Sequence, residues 1–262
     1  MKKEKAAQKR KYFIISAISL LTFLVIWEIC SDVLRLLPAY ALPSPVQVVK
    51  TFFDKLTNPN PDRATLLQHL GTSLQVALTG YLIGIVVGVP LGVLMGWYKR
   101  FDQFFKPIFD VIRPIPPIGW IPIMVVLFGI GLQAKSAVIF LASVVPCMIN
   151  TYSGIKQTNP VHLWVAQTFG ATNFQMLCKI AIPSALPMIF TGLKVALNAA
   201  WMALVAAELL AATKGIGYMI QISRMFGRAD IIVVGMLTVG AVSLVFNWIL
   251  DTLEKKLVKG GM

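Results

Sequence analysis

Between Leu74 and Trp97 the chain runs for 24 residues without one charged side chain. The hydrocarbon core of a bilayer is about 30 Å thick and takes roughly 20 apolar residues as helix, so this stretch is long enough to cross it. Five further apolar segments, residues 12–30, 118–132, 137–149, 189–212 and 231–250, repeat the pattern, the second and third of them being short. The whole chain is 57% hydrophobic and 13% charged. Soluble domains carry roughly 25% charged residues, so too few charges are present to wet a complete surface, and part of the solvent must be lipid. The expected fold is all-α, a polytopic membrane protein with six transmembrane helices in one domain over residues 1–262.

The net charge of +13 would suit nucleic acid if it lay along one face. Instead the basic residues stand between apolar runs and at the ends, which excludes nucleic acid as the expected partner and sets topology. With both termini cytoplasmic, one side holds Lys2, Lys3, Lys5, Lys9, Arg10 and Lys11, then Lys99, Arg100, Lys106 and Arg113, then Lys156, Lys179, Lys255, Lys256 and Lys259. The other side keeps Arg35, Lys50, Lys55, Arg63, Lys135, Lys214, Arg224 and Arg228, and Lys194 falls at a helix start. The first apolar run is not closed by a small-residue cleavage site, so it reads as a retained helix rather than a leader. Cys30, Cys147 and Cys178 are far apart and read as small buried hydrophobes; His69 and His162 stand 93 positions apart. No metal-binding or catalytic constellation is visible, and a membrane enzyme or a repeat-built secondary transporter finds little support.

Two local patterns carry structure. Gly80, Gly84, Gly88, Gly92 and Gly96 recur every four residues, a ridge that lets a neighbouring helix approach closely; Pro90 in the same helix predicts a kink. From Arg113 to Pro122 four prolines rule out a regular helix, and in a membrane such backbone persists only where protein or water shields it. Residues 154–187 break the membrane pattern on the cytoplasmic side. Leu163, Ala166, Phe169 and Gly170 sit at helical spacing, predicting a short amphipathic helix, with Pro183 and Pro187 expected to stop the helical run.

That segment resembles the loop shared by permeases of binding-protein-dependent ABC importers, E-A-A-x-x-x-G, nine residues, then I-x-L-P. Here it reads Trp164-Val-Ala166-Gln-Thr-Phe-Gly170, then Ala171 to Lys179, then Ile180-Ala-Ile-Pro183, with Trp164 where the family has glutamate. Leu42-Pro-Ser-Pro45, Arg113-Pro-Ile-Pro-Pro117, Phe128-Gly-Ile-Gly131, the run from Trp201 to Ala212 and Gly215-Ile-Gly217-Tyr218 resemble the nitrate/sulfonate/taurine branch. The resemblance implies a type I importer permease fold with a cytoplasmic coupling helix in a bacterial plasma (inner) membrane. It implies work as a homodimer with two ATP-binding cassette ATPase subunits and an extracytoplasmic substrate-binding protein. ATP and Mg would belong to those partners, since no G-x-x-x-x-G-K-[ST] loop is present here and no cofactor is expected on this chain. The coupling residues would be Trp164, Ala166, Gly170, Ala171, Ile180 and Pro183, with Gly170 and Ala171 leaving a dent beside the helix. The cargo implied is a small organic or inorganic anion such as a sulfonate, taurine or nitrate. A vitamin-like molecule (a thiamine pyrimidine precursor or riboflavin) is the alternative, and a gradient-driven carrier a more distant one.

Within the membrane, Glu208 either pairs with Arg224 or Arg228 or shapes the translocation path. Trp201, two turns earlier on nearly the same face, either constricts that path or packs in the core. Ala199, Ala200, Ala203, Ala206 and Ala207 keep this helix slim, as a two-fold packing face between permeases would require. Glu28, beside Asp32 and Arg35, is placed at the headgroup level.

Overall fold

A computed structural model describes residues 2–34, 36, 38 and 40–259, and the described backbone contains helices and no strand. Arg35, together with the side chains of Lys2, Lys3, Lys5, Lys9, Arg10 and Lys259, lies outside the described residues. In chain order the α-helices are α1 (Lys2–Glu28), α2 (Pro45–Lys55), α3 (Leu66–Trp97), α4 (Lys99–Ile112), α5 (Ile121–Phe128), α6 (Leu132–Lys156), α7 (Pro160–Thr168), α8 (Asn173–Met176), α9 (Ile182–Ala211), α10 (Ile216–Met225) and α11 (Ala229–Lys259). Five helical stretches are long and apolar enough to cross a bilayer: Ile14–Val33, Leu66–Trp97, Leu132–Lys156, Asn173–Leu210 and Ala229–Val258. A sixth would be the pair Lys99–Ile112 and Pro117–Phe128, bent by 86°.

The helices overrun the apolar windows that announce them. α3 begins at Leu66 rather than Leu74, and α6 runs from Leu132 to Lys156 where the apolar run covers only residues 137–149. Hydropathy marks the lipid-facing part of a helix, whereas the backbone ladder continues through Gln133, Asn150 and Tyr152 because helical hydrogen bonds are indifferent to side-chain polarity. The apolar stretch 118–132 is instead divided. Pro117–Trp120 makes one 3₁₀ turn, α5 ends at Phe128, and Gly129 leaves the helix at φ 74°.

The chain forms two compact units, residues 1–67 with 219–237 and residues 68–218 with 238–262. In the first, the Pro-Ser-Pro stretch starts α2. Ser44 caps it by accepting from the Gln47 N–H at 3.3 Å, and Pro45 occupies the first turn, where its missing N–H is no loss. Lys55 is buried, bonded to Asp62 and to the carbonyls of Asn60 (3.0 Å) and Ala64 (2.9 Å). Asp230 accepts from Thr51 Oγ1 at 2.8 Å and takes Arg228 in a two-pronged pair at 2.9 and 2.8 Å. That carboxylate holds the Arg228 guanidinium above its ordinary pKa. Glu28 accepts from the Val46 N–H at 3.3 Å.

In the second unit the glycine ridge of α3 meets α6. A Cβ on Gly80 would stand 2.6 Å from the Ser136 carbonyl, on Gly88 2.7 Å from the Val144 carbonyl, and on Gly92 2.6 Å from the Met148 carbonyl. On Gly84 and Gly96 it would stand 2.5 Å from Ser143 Cβ and 2.7 Å from Ile155 Cβ. The two backbones touch along five turns because nothing larger than hydrogen intervenes. The other side of α6 packs on α9, where Gly154 faces Ala185 and Met188, and Gly192 faces Asn150.

Three expectations need correcting here. The alanines of α9 do not form a free face: Ala203 and Ala207 are buried with Ile121, Val138 and Ala142, while Ala199 and Ala206 pack against the same cluster. Their small size lets α5 and α6 close on α9. Lys194 lies inside α9, not at a helix start, and bridges Asp251 and Glu254 of α11 at 2.5 Å each. Of the cysteines, Cys147 is buried, Cys30 half-buried and Cys178 exposed, the last in the π turn over Leu177–Ala181.

Candidate functional site

Glu208 is 1% exposed, and its carboxylate is held by hydrogen bonds. The Ser73 hydroxyl donates to Oε1 at 2.8 Å and lies 2.9 Å from Oε2, and the Gly217 N–H donates to Oε2 at 2.9 Å. Ser73 Oγ in turn accepts from the Ile216 N–H at 2.9 Å, and His69 Nδ1 accepts from the Gly215 N–H at 3.1 Å. These donors belong to the start of α10, where the first N–H groups of any helix have no partner within it. His69 and Ser73, one turn apart on α3, and Glu208 on α9 together cap that helix, and a carboxylate suits its positive end. The buried Lys135 adds a compensating positive charge.

The pairing expected of Glu208 with Arg224 or Arg228 is replaced by this cap, and Arg228 is engaged by Asp230. The cluster explains Gly215-Ile-Gly217. A Cβ on Gly215, at φ 135°, would strike the Glu208 carboxylate, and one on Gly217 would stand 2.7 Å from Glu208 Cβ. Sequence reasoning missed His69 and Ser73. The signal was a polar i, i+4 pair in the first turns of α3, among other polar residues such as Gln68, Thr72 and Gln75, with no indication of which distant loop it served.

Trp201 packs in the core of the same unit with Val76, Tyr81, Leu197 and Leu204. Its Nε1 donates to the Val239 carbonyl at 3.0 Å, and its ring meets Phe246 edge-on at 6.0 Å.

The loop residues form a second assembly. Asn159 caps α7, accepting from the Val161 N–H at 3.0 Å, and Pro160 fills the first turn. At the other end the Ala171 N–H bonds the Ala166 carbonyl at 3.0 Å and the Gly170 N–H bonds the Gln167 carbonyl at 2.9 Å. This is the two-bond pattern of a helix stopped by a left-handed residue, and Gly170 sits at φ 78°. The space beside Gly170 is open: nothing lies within 4 Å of where its Cβ would be. Its dihedral requires glycine; the space around it does not. Ala166 supplies the carbonyl that the motif closes on.

Along α7 and just beyond it, Trp164 is 62% exposed and Phe169 85% exposed, with Val161 and Val165 also exposed. No residue of α7 is buried. Thr172 then opens a reciprocal capping box with Gln175, their bonds 3.3 and 2.9 Å long. Contrary to expectation, Pro183 and Pro187 do not stop the helix. Residues 173–210 run as one helical stretch. The turn over Leu177–Ala181, which contains Ile180, widens to π geometry, with the Ile182 N–H reaching the Leu177 carbonyl. A proline ring clashes with the carbonyl four residues back in a regular α-helix, and the wider turn ahead of Pro183 relieves that clash.

The family of inner membrane components of binding-protein-dependent transport systems matches residues 88–259. The taurine transport permease TauC of Escherichia coli is 34% identical over 91% of this chain and 86% of its own length. The nitrate import permease NrtB of Leptolyngbya laminosa is 32% identical over 93% of this chain and 87% of its own. The putative aliphatic sulfonates permease SsuC of Bacillus subtilis is 29% identical over 90% and 83%. Among solved structures, a chain of the inward-facing MetNI methionine ABC transporter superposes with a TM-score of 0.60 over 75% of this chain and 96% of that one. At 19% identity that likeness speaks to the fold alone, which is that of a type I importer permease. The chain therefore belongs to the inner membrane components of binding-protein-dependent transport systems, as the permease subunit of an ABC importer and not as an enzyme.

Proposed function

We propose that this permease lines the path for a small anion of the sulfonate, taurine or nitrate kind and takes its driving motion through α7. The cargo class is supported by the names of its relatives, which transport taurine, aliphatic sulfonates and nitrate. The mechanical reading rests on one observation. α7 is capped at both ends, carries exposed Trp164, Val161 and Val165, and leads through the Thr172 capping box into a helical stretch that continues unbroken to Leu210. A short stiff helix with an apolar exposed face suits the groove of a helical-peptide receptor. A push on it would pass into a membrane-spanning helix through the short turn over residues 169–172, which the Gly170 cap and the Thr172 capping box tie at either end.

In this reading α7 seats in a cytoplasmic ATPase subunit, which binds ATP and Mg. Two permease copies and two ATPases assemble with an extracytoplasmic binding protein, both termini facing the cytoplasm. Because tryptophan stands where the family has glutamate, the contact at residue 164 is apolar stacking rather than an ion pair. The test is co-purification of the tagged permease with its genomic neighbours from mild detergent. An ATPase should come down in stoichiometric amount and be released by Gly170→Arg, with the membrane helices still folded. A Gly170→Arg complex that stays assembled and couples normally sinks the α7 assignment.

A further inference from the structure

In a soluble protein an amphipathic helix turns its apolar stripe to the core. α4 does the reverse. None of its residues is buried, and Phe101, Phe104, Ile108 and Val111 are exposed. Its opposite edge faces α6: Asp102 accepts from the Tyr152 hydroxyl at 3.2 Å and pairs with Lys156 at 3.4 Å. Further along that edge, Lys106, Asp110 and Arg113 line a cavity of ≈ 200 Å³ with Tyr152 and Ser153. An apolar face turned outward suits lipid, and the charged edge, exposed at Lys106, Asp110 and Arg113, suits water or a passing solute.

Arg113 also borders a second cavity of ≈ 200 Å³, whose remaining lining is apolar and includes Trp120, Leu141 and Val145. Among the described residues, no carboxylate lies within salt-bridge distance of Lys106 or Arg113. Asp110 lines the first cavity too but stands beyond that distance, so the donors of the exposed Arg113 and Lys106 are open to an anion entering the cavity. The guanidinium presents a planar fork of donors to an oxyanion, which a lysine does not.

We propose that Arg113 is an anion-coordinating residue on the translocation path, with Lys106 supporting it, and that the ligand class is a small organic anion with a short apolar tail. The charged group bonds Arg113 on the Lys106–Tyr152 side, and the tail enters the cavity bounded by Trp120 and Val145. A sulfonate on a short alkyl chain has that shape, whereas nitrate would leave the second cavity unused. This inference rests on the anion-import reading above.

The experiment is ATP-dependent uptake into liposomes holding the permease, its ATPase and its binding protein, with taurine, butanesulfonate and nitrate as probes. Loss of a charge-assisted hydrogen bond of about 1.5–3 kcal/mol corresponds to roughly tenfold or more, so Arg113→Gln should lower uptake at subsaturating anion by that factor. Arg113→Lys, which keeps the charge and loses the fork, should recover part of it, which a merely structural role would not require. Val145→Phe, which fills the apolar cavity, should depress butanesulfonate uptake more than nitrate uptake. Co-purification of the ATPase with each variant establishes assembly. Wild-type uptake by Arg113→Gln, or equal loss in Arg113→Lys, overturns the assignment of Arg113 while anion import stands. A wild-type importer that assembles but takes up none of the three anions overturns the anion reading itself, and the ligand inference with it.

Discussion

The glycines of the α3–α6 seam and the glycine that ends α7 are the same residue kept for opposite reasons. At Gly80, Gly88 and Gly92 the backbone is ordinary helix and the space is gone, because a carbonyl of α6 stands under 3 Å from any Cβ. At Gly170 the space is open and the backbone is the obstacle, at φ 78°. The first set measures a distance between helices; the second measures a dihedral at a helix end. The seam belongs to the packed membrane interior, while α7 makes no buried contact and stands on its own caps. One part of this unit is held by backbone contact between helices and the other by its own caps.

Substitutions separate these two kinds of glycine, and the largest effect belongs to the seam. Gly88→Leu should destabilise by about 3 kcal/mol or more, since overpacking here displaces backbone rather than a flexible side chain. Thermal unfolding in detergent measures it, and a wild-type melting temperature would mean that α3 and α6 stand further apart than described. Next is Glu208→Ala, which strands the Ser73 hydroxyl and the Gly217 N–H at a loss of about 1–3 kcal/mol. Glu208→Gln keeps one acceptor and should lose less. If Glu208→Gln abolishes uptake at unchanged stability, the carboxylate acts on the path and not as a cap. At Gly170 the expected loss is smaller, about 1–2 kcal/mol for alanine in the left-handed region. There Gly170→Asn should be milder than Gly170→Ala despite its size, whereas at Gly88 the ranking should follow volume. Trp164→Ala should shift stability by less than about 0.5 kcal/mol, as exposed positions do, and yet weaken ATPase co-purification. A stability loss of seam magnitude at Trp164 would erase the contrast between the two regions.

Much of the fold was legible because lipid imposes a plain rule: apolar runs of sufficient length become helices. The five-fold glycine repeat announced a close helix contact for the same elementary reason. The loop motif was legible as a pattern, although its physical meaning was not. Gly170 is a helix cap, which its spacing alone did not announce; Pro183 and Pro187 read as stops and lie within a continuous helix. A proline's effect depends on whether the preceding turn widens, and nothing in Leu177–Ala181 signals that by composition.

By itself the sequence determined that this chain lives in a membrane, that its elements are helices, and that a short helix interrupts them. Each of those follows from local properties, namely hydropathy over a window and helical spacing. Only the tertiary structure decided where Glu208 sends its hydrogen bonds, that Trp201 and the alanines of α9 belong to the core, and that Asp102 of α4 meets Tyr152 and Lys156 of α6. Those outcomes depend on residues far apart in the chain, Ser73 with Glu208 or Asp102 with Tyr152, being brought within 3.2 Å or less. No window along the sequence contains such a pair.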